Sequence, residues 1–216
     1  MKYIFNATWL ISLFFSHTGV SQTNCELRKD DDDIKVYLCD SKISNFKTIV
    51  VELDVPATLS QYAALVMDID SYHEWQYKAI GARLVGQVNE TDLYYYLEID
   101  TPWPTDNRDM IWHLIMNQDP VTKVVVVDLE EIPDYIPKVD GVVRIPKANS
   151  TLTISPIDKT NVRVHYIIDV DPGGAAPAWL VNMFAAQTPW NTYNNLRERI
   201  KAQGENRISV PYIEDF

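Results

Sequence analysis

The sequence is poor in positive charge. Its 216 residues carry 19 lysines and arginines against 30 aspartates and glutamates, which gives a formal net charge of −11. Nucleic acids need a basic face to neutralise their phosphates, and anionic membranes attract polybasic patches, so this balance argues against both partners. A neutral or apolar ligand is easier to reconcile with it.

The sequence also lacks the motifs of common catalytic sites. It contains no G-x-S-x-G nucleophile turn, no H-E-x-x-H zinc motif and no glycine-rich phosphate loop with its lysine. His73 and Glu74 adjoin in a predicted loop, but no third ligand lies at a zinc-like spacing. The sequence therefore predicts neither a metal site nor a cofactor site.

Cysteine is scarce, since Cys25 and Cys39 are the only two. In an oxidising compartment a disulfide between them is the default interpretation. A bridge closing a loop of this length would stabilise the fold by about 3 kcal/mol in the chain-entropy model. The alternative, a catalytic thiol, would need a neighbouring base that the sequence does not place nearby.

The sequence also has no apolar run long enough to cross a bilayer, since a span needs about 20 apolar residues. Residues 1–15 join one lysine to a short, interrupted apolar run, and residues 19–21 are small enough for a cleavage position. We interpret residues 1–21 as an export signal, which predicts a secreted or periplasmic protein. Its removal takes away one lysine, moves the net charge from −11 to −12 and leaves residues 22–216 as a single domain.

The most informative segment that is present is 169–177, D-V-D-P-G-G-A-A-P. Before it, residues 162–170 alternate apolar and polar side chains, which is the period of a half-buried strand. Gly173 and Gly174 supply the backbone freedom for a sharp turn, and Pro177 fits the first turn of a helix.

After this segment, apolar residues recur at the spacing of one helix face. They are Trp179, Met183, Ala186, Trp190, Tyr193 and Ile200. A sheet followed by one long, aromatic-rich helix predicts a helix laid across a curved sheet. If side chains do not fill the space between the sheet and the helix, that space is a ligand cavity.

The rest of the chain predicts mainly strands. The predicted order begins with a short helix at residues 24–29, a solvated acidic turn at 30–33 (a calcium site being the minor alternative), strands at 34–40 and 47–55 and a helix at 57–67. About six strands follow, with a turn at 147–150, and the last helix extends from about 177 to 202. The predicted class is α+β, with a mainly antiparallel sheet wrapped on a C-terminal helix.

Pro102-Trp103-Pro104, followed by Asn107-Arg108-Asp109 at a strand start, resembles the P-W-P and R-D signature of START (StAR-related lipid transfer) domains, most of all their secreted bacterial members. Residues 143–145, 168–174 and 177–180 match further blocks of that family in the same order. Trp75 resembles the tryptophan of an Asp and Trp pair that is frequent in the family, and Asp68 or Asp70 would be its aspartate. The resemblance extends roughly from Cys25 to Ala202.

This resemblance implies a helix-grip fold that encloses a tunnel for one hydrophobic molecule, often a lipid or sterol, with the C-terminal helix as its lid. Two positions depart from the family pattern. Leu152 stands where a tryptophan is common, and Leu114 stands where some lipid-binding members carry a second buried arginine. The second departure favours an apolar ligand surface at that point.

The candidate cavity residues combine two arginines with aromatic and thioether side chains. They are Trp103, Arg108, Met110, Trp112, Arg144, Trp179, Met183 and Trp190. The Arg108–Asp109 pair either ties the preceding loop to the sheet or points into the tunnel, and Arg144 leaves the same two alternatives open. The aromatic set is either ordinary core or an adaptable cavity wall.

We therefore expect a non-enzymatic, monomeric carrier of a lipid or sterol-like compound, driven by burial of apolar ligand surface and making transient membrane contact. Ligand access would require movement of the C-terminal helix or of loops 101–107 and 133–140, with Gly173 and Gly174 as the hinge. One alternative is a cyclase- or hydratase-like enzyme of the same superfamily. It would use the polar residues Glu98, Arg108, Asp109 or His113. Another is an acidic interaction domain with a filled interior.

Overall fold

A computed structural model describes residues 24–41, 46–174, 176, 178–203 and 209–216. The predicted export signal lies outside these residues. The strands are β1 (Cys25–Asp31), β2 (Ile34–Asp40), β3 (Lys47–Val55), β4 (Ala79–Asn89), β5 (Asp92–Ile99), β6 (Asn107–Gln118), β7 (Val125–Glu131), β8 (Val142–Arg144), β9 (Lys147–Pro156) and β10 (Val162–Asp171). The helices are α1 (Leu59–Met67), α2 (Tyr72–Trp75) and α3 (Ala178–Gln203), with a 3-10 turn at Ile69–Ser71.

The strands form one sheet in the order β1-β2-β3-β10-β9-β7-β6-β5-β4, and β8 pairs with β6 off this path. All pairs along the path are antiparallel, and β8 is parallel to β6. The sheet curves around α3, so the predicted α+β helix-grip class is confirmed. Alternation places residues such as Tyr95, Val164 and Ile154 on the buried inner face.

The predicted helix at residues 24–29 is wrong, because this segment is the edge strand β1. Cys25 is the register partner of Cys39, and the predicted disulfide joins the two residues. The acidic run turns the chain at Asp32 and Asp33, with φ of 54° and 61°. Aspartate adopts this left-handed backbone more readily than most residues, which is why an acidic pair can form a tight hairpin.

The predicted turn at residues 147–150 is also wrong, since these residues begin β9. Lys147 pairs with Asp171 and Ser150 pairs with Ile168, so both strands run to the same end of the sheet. Polar residues hide this part of the strand in the sequence, although Ala148 and Ser150 are buried.

Helix α1 begins two residues later than predicted, at a capping box. The Thr58 hydroxyl accepts a hydrogen bond from the Gln61 backbone N–H (3.1 Å), and the Gln61 side chain accepts one from the Thr58 N–H (2.9 Å). The C-terminal segment reinforces this start, because Asp215 accepts a hydrogen bond from the Ser60 N–H (2.9 Å) and Ile213 is buried in the core.

Helix α3 buries Tyr193 and Ile200 of the predicted face. Ala185 and Leu196 are buried with them at helical spacing against the sheet. Trp190 is half-buried beside this row. The described part of the helix thus keeps the predicted face, with Trp190 at its edge.

Candidate functional site

A cavity of about 280 Å³ lies between the inner face of the sheet and α3. Side chains from β2, β3, β5, β6, β7, β9 and β10 and from the three helices line it. Among the described residues, its aromatic lining is Phe46, Tyr62, Tyr72, Trp75, Tyr77, Tyr95, Trp112, Tyr166 and Tyr193. Its aliphatic and thioether lining includes Leu38, Ile49, Leu97, Ile99, Met110, Leu129, Leu152, Ile168, Val170, Val181 and Leu196. The lining suits an apolar ligand body.

The cavity lies toward one end of the sheet. Ile99 at the end of β5 is the register partner of Arg108 at the start of β6, and both line the cavity. Val170, at the end of β10, and Lys47, at the start of β3, lie at the same end because neighbouring strands are antiparallel. The Lys47 side chain is 57% exposed and also lines the cavity, which places the mouth beside it.

Arg108 is a buried cation at the cavity wall. The residue is 4% exposed, and its Nη1 donates a hydrogen bond to the Asp106 carbonyl at 2.5 Å. Its Nε has no hydrogen-bond partner among the described residues. Burial lowers the pKa of Arg108, and the negative charge of Asp106 only partly offsets this. An arginine in this position remains charged, so it can pair with an anionic or strongly accepting ligand group.

The two alternatives left open for Arg108 and Asp109 divide between the two residues. Successive strand residues point to opposite faces, so Arg108 points inward and Asp109 outward. Asp109 instead binds Arg144 through two hydrogen bonds, Nε to Oδ1 at 2.8 Å and Nη2 to Oδ2 at 3.0 Å. Arg144 also donates to the Pro133 carbonyl at 2.5 Å. Arg144 is thus a structural tie beneath the β7–β8 connection and does not line the cavity, contrary to the prediction.

Two predicted tryptophans lie away from the cavity. Trp103 is 91% exposed on the loop between β5 and β6. Trp190 donates from Nε1 to the Asp31 carbonyl at 3.1 Å, and Lys29 Nζ lies 3.6 Å from its ring centroid. Its side chain therefore packs against β1, one helix position beyond the face that α3 turns to the cavity.

Of the remaining predicted cavity residues, Arg108, Met110 and Trp112 line the cavity together on alternate positions of β6. Trp179 and Met183 belong to α3, but their side chains lie outside the described residues. The structure thus brings three of the eight predicted residues to one wall.

The prediction missed the tyrosine-rich part of the wall. Burial raises the pKa of Tyr166 to about 12 and the pKa of Tyr62 and Tyr72 further, so these hydroxyls are neutral. The Tyr62 hydroxyl and the Trp75 Nε1 have no partner among the described residues. The apolar and polar alternation of β5 and β10 and the helical spacing in α1 predict that these side chains face the interior. No local sequence pattern shows that a cavity lies beside them.

Two of the groups suggested for catalysis, His113 and Glu98, lie away from the cavity. His113 is hydrogen-bonded through Nε2 to Asp92 at 2.8 Å, and its ring stacks on Tyr94 at 4.2 Å between centroids. Glu98 accepts hydrogen bonds from the Tyr96 hydroxyl at 2.9 Å and from Asn107 at 3.0 Å. Neither residue lines the cavity. Among the described residues, no three His, Cys, Asp or Glu side chains lie close enough to hold a metal ion.

One buried carboxyl lies beside the Asp109–Arg144 pair. Glu131 is 6% exposed and accepts a hydrogen bond from the Ile111 N–H at 2.9 Å. Burial raises its pKa to about 8, which Arg144 opposes and Asp109 reinforces. Glu131 does not line the cavity, and its hydrogen bond to Ile111 links β7 to β6.

A curved sheet gripping a long helix around an apolar cavity defines a helix-grip ligand-binding domain. The family model for the START domain matches residues 20–206. The chain belongs to the START domain family. No helix in the described part of the chain is long and apolar enough to cross a membrane.

Two curated relatives illustrate the range of the family. An uncharacterized protein of Pseudomonas aeruginosa is 30% identical over 198 residues, which is 91% of this chain and 97% of the relative. The phosphatidylcholine transfer protein of Mus musculus is 29% identical over 158 residues, which is 71% of this chain and 69% of the relative.

Solved structures show the same fold. A STAR-related lipid transfer protein from Xanthomonas axonopodis has a TM-score of 0.75 at 30% identity, covering 82% of this chain and 98% of that one. Human StAR-related lipid transfer protein 5 has a TM-score of 0.73 at 15% identity, covering 84% and 88%. The Zhui aromatase/cyclase from Streptomyces has a TM-score of 0.52 at 11% identity, covering 76% and 98%. At these last two identities the likeness concerns the fold alone.

Proposed function

We propose that this START domain binds or carries one hydrophobic small molecule, a lipid or sterol-like compound, and catalyses no reaction. The observation that carries the proposal is the cavity of about 280 Å³ with its apolar and aromatic lining. Transfer of apolar ligand surface into it would contribute about 25 cal/mol per Å². The similarity to the mouse phosphatidylcholine transfer protein and to the Xanthomonas lipid transfer protein supports the same class of ligand.

The enzymatic alternative has less support. The aromatase/cyclase likeness concerns the fold, and cyclase chemistry needs acid or base groups facing the substrate. Here Asp109 is paired with Arg144, and Glu98 and His113 bond to other side chains away from the cavity. Arg108 is the one candidate of that set that lines the cavity, and an arginine is a poor proton donor or acceptor.

A secreted or periplasmic monomer is part of the proposal. The disulfide between Cys25 and Cys39 is typical of an oxidising compartment, and the export signal interpreted at residues 1–21 agrees with it. Exchange of a hydrophobic ligand would be easiest at a membrane surface.

Transient membrane contact would occur at the mouth end of the sheet. The exposed Trp103 lies on the loop that leads directly into β6 and Arg108. Exposed Val139 lies on the β7–β8 connection at the same end. Tryptophan partitions well into the interfacial region of bilayers, and the acidic net charge favours a zwitterionic over an anionic surface.

Gly173 and Gly174 are the proposed hinge of α3. Their φ angles are 68° and 58°, which glycine adopts without penalty. A Cβ on Gly173 would also lie 2.9 Å from Pro146 Cδ. Alanine at both positions would therefore strain the closed turn in addition to stiffening it.

A cavity-filling variant tests the container directly. Ala185 is buried on α3 and lines the cavity, so Ala185→Phe should occupy ligand space. The matched control is Ala202→Phe on the same helix, where the alanine is exposed. With an environment-sensitive naphthylamine probe, we expect one site per wild-type molecule, at least tenfold weaker binding by Ala185→Phe and unchanged binding by Ala202→Phe. A folded wild type that binds no apolar probe would contradict the proposal.

A further inference from the structure

We propose that the ligand carries one negative group, which pairs with the buried Arg108 at the cavity wall. This inference rests on the proposed function and names the class of molecule that the cavity selects. Two observations support it, the charged side chains among the described lining residues and the unpartnered Nε of Arg108.

Among the described lining residues, one buried charge has no carboxylate bonded to it. Arg108 and Lys47 are the charged side chains among the lining residues. Lys47 is exposed at the mouth and paired with Asp40. Arg108 is buried, and its described hydrogen bond goes to a backbone carbonyl rather than a carboxylate.

A buried charge is costly unless it is paired, so an empty or neutral-filled cavity leaves Arg108 in an unfavourable state. The nearby carboxylates compensate this charge only in part. Asp109 is committed to Arg144, and the exposed Asp106 meets Arg108 through its carbonyl, so that its negative charge only partly offsets the burial of Arg108. An anionic group on the ligand would complete the pair with charge-assisted hydrogen bonds.

Titration calorimetry with two probes tests the inference. The probes are decanoate, below its critical micelle concentration, and decanol, below its solubility limit. For the wild-type protein we expect decanoate to bind at least tenfold more tightly than decanol. Affinity should also rise about fourfold per methylene from hexanoate to decanoate.

Arg108→Met supplies the matched variant, because methionine keeps an unbranched apolar side chain. It should weaken decanoate binding at least tenfold and leave decanol binding within about twofold. Arg163→Met is the control, since Arg163 is exposed and pairs with Asp54 far from the cavity. That variant should retain the preference for decanoate.

The outcomes separate the two proposals. Equal binding of decanoate and decanol by the wild type overturns the anionic ligand, whatever the variants do, and leaves the proposed function standing. Binding of neither probe contradicts the proposed function itself.

Discussion

Asp109 and Arg144 form a two-bond ion pair that is almost completely buried, with side chains 0% and 1% exposed. The pair joins β6 to β8, and Arg144 holds the β7–β8 connection through backbone carbonyls. Arg108, the neighbour of Asp109, faces the cavity alone. The two arginines at this end of the sheet thus have opposite energetic roles.

Arg144→Met should destabilise the protein strongly. It leaves Asp109 buried and unpaired, and the loss of one partner of a buried pair costs about 3–5 kcal/mol. Urea unfolding measures the change, with Arg163→Met as the control, because the exposed Arg163–Asp54 pair contributes about 1 kcal/mol or less. Equal losses in the two variants would show that burial does not govern the effect.

Arg108→Met should be neutral or stabilising in the absence of ligand. The substitution removes a buried charge that has no carboxylate partner, and an apolar side chain of similar length restores the packing. The free energy of unfolding of this variant should equal or exceed that of the wild type. A loss as large as that of Arg144→Met would mean that Arg108 holds the fold rather than a ligand.

Glu131 should make stability fall as pH rises. Its folded pKa of about 8 lies above the ordinary value of 4.5, so the folded state holds the proton more tightly than the unfolded chain. The benefit of the proton is present at low pH and is lost as pH rises from about 4.5 through 8, at about 1.4 kcal/mol per unit between the two pKa values. Unfolding free energies of the wild type and Glu131→Gln, measured from pH 5 to 8.5, should therefore diverge in favour of the variant.

Glutamine is a suitable replacement because it can still accept the hydrogen bond from the Ile111 N–H. Comparing the two proteins at each pH cancels the titration of all other groups. A difference that stays constant across this range would show that Glu131 is ionised in the folded state throughout.

Trp103→Ala should weaken binding to zwitterionic vesicles without changing stability by more than about 0.5 kcal/mol, because the side chain is exposed. Sedimentation with phosphatidylcholine vesicles measures binding, and Val121→Ala, an exposed apolar residue on the β6–β7 turn at the other end of the sheet, is the control. An equal loss of vesicle binding in both variants, or no loss in either, would contradict membrane contact at the mouth.

The sequence predicted the elements that have a clear local period. Strand β3 has the predicted bounds, and β10 and α3 differ from theirs by one residue, because each buries one face and exposes the other. Strand β1 was missed since it has almost no buried face. Pairing with β2 and the disulfide, both set by residues farther along the chain, make it a strand.

The site was harder to predict than the fold. Residue type suggested that Trp103 and Trp190 line the cavity, but orientation depends on loop geometry and on which helix face packs inward. The strand period could have separated Arg108 from Asp109, because adjacent residues in a strand point to opposite faces. The partner of Asp109 is Arg144, 35 residues away, and no local sequence pattern predicts this contact.

Native mass spectrometry of the purified protein, followed by organic extraction, tests the central claim most directly. The account predicts a complex with one molecule per chain, released on extraction as an apolar compound with a single acidic group. Protein that is folded, empty and unable to take up decanoate or any lipid from vesicles would contradict it.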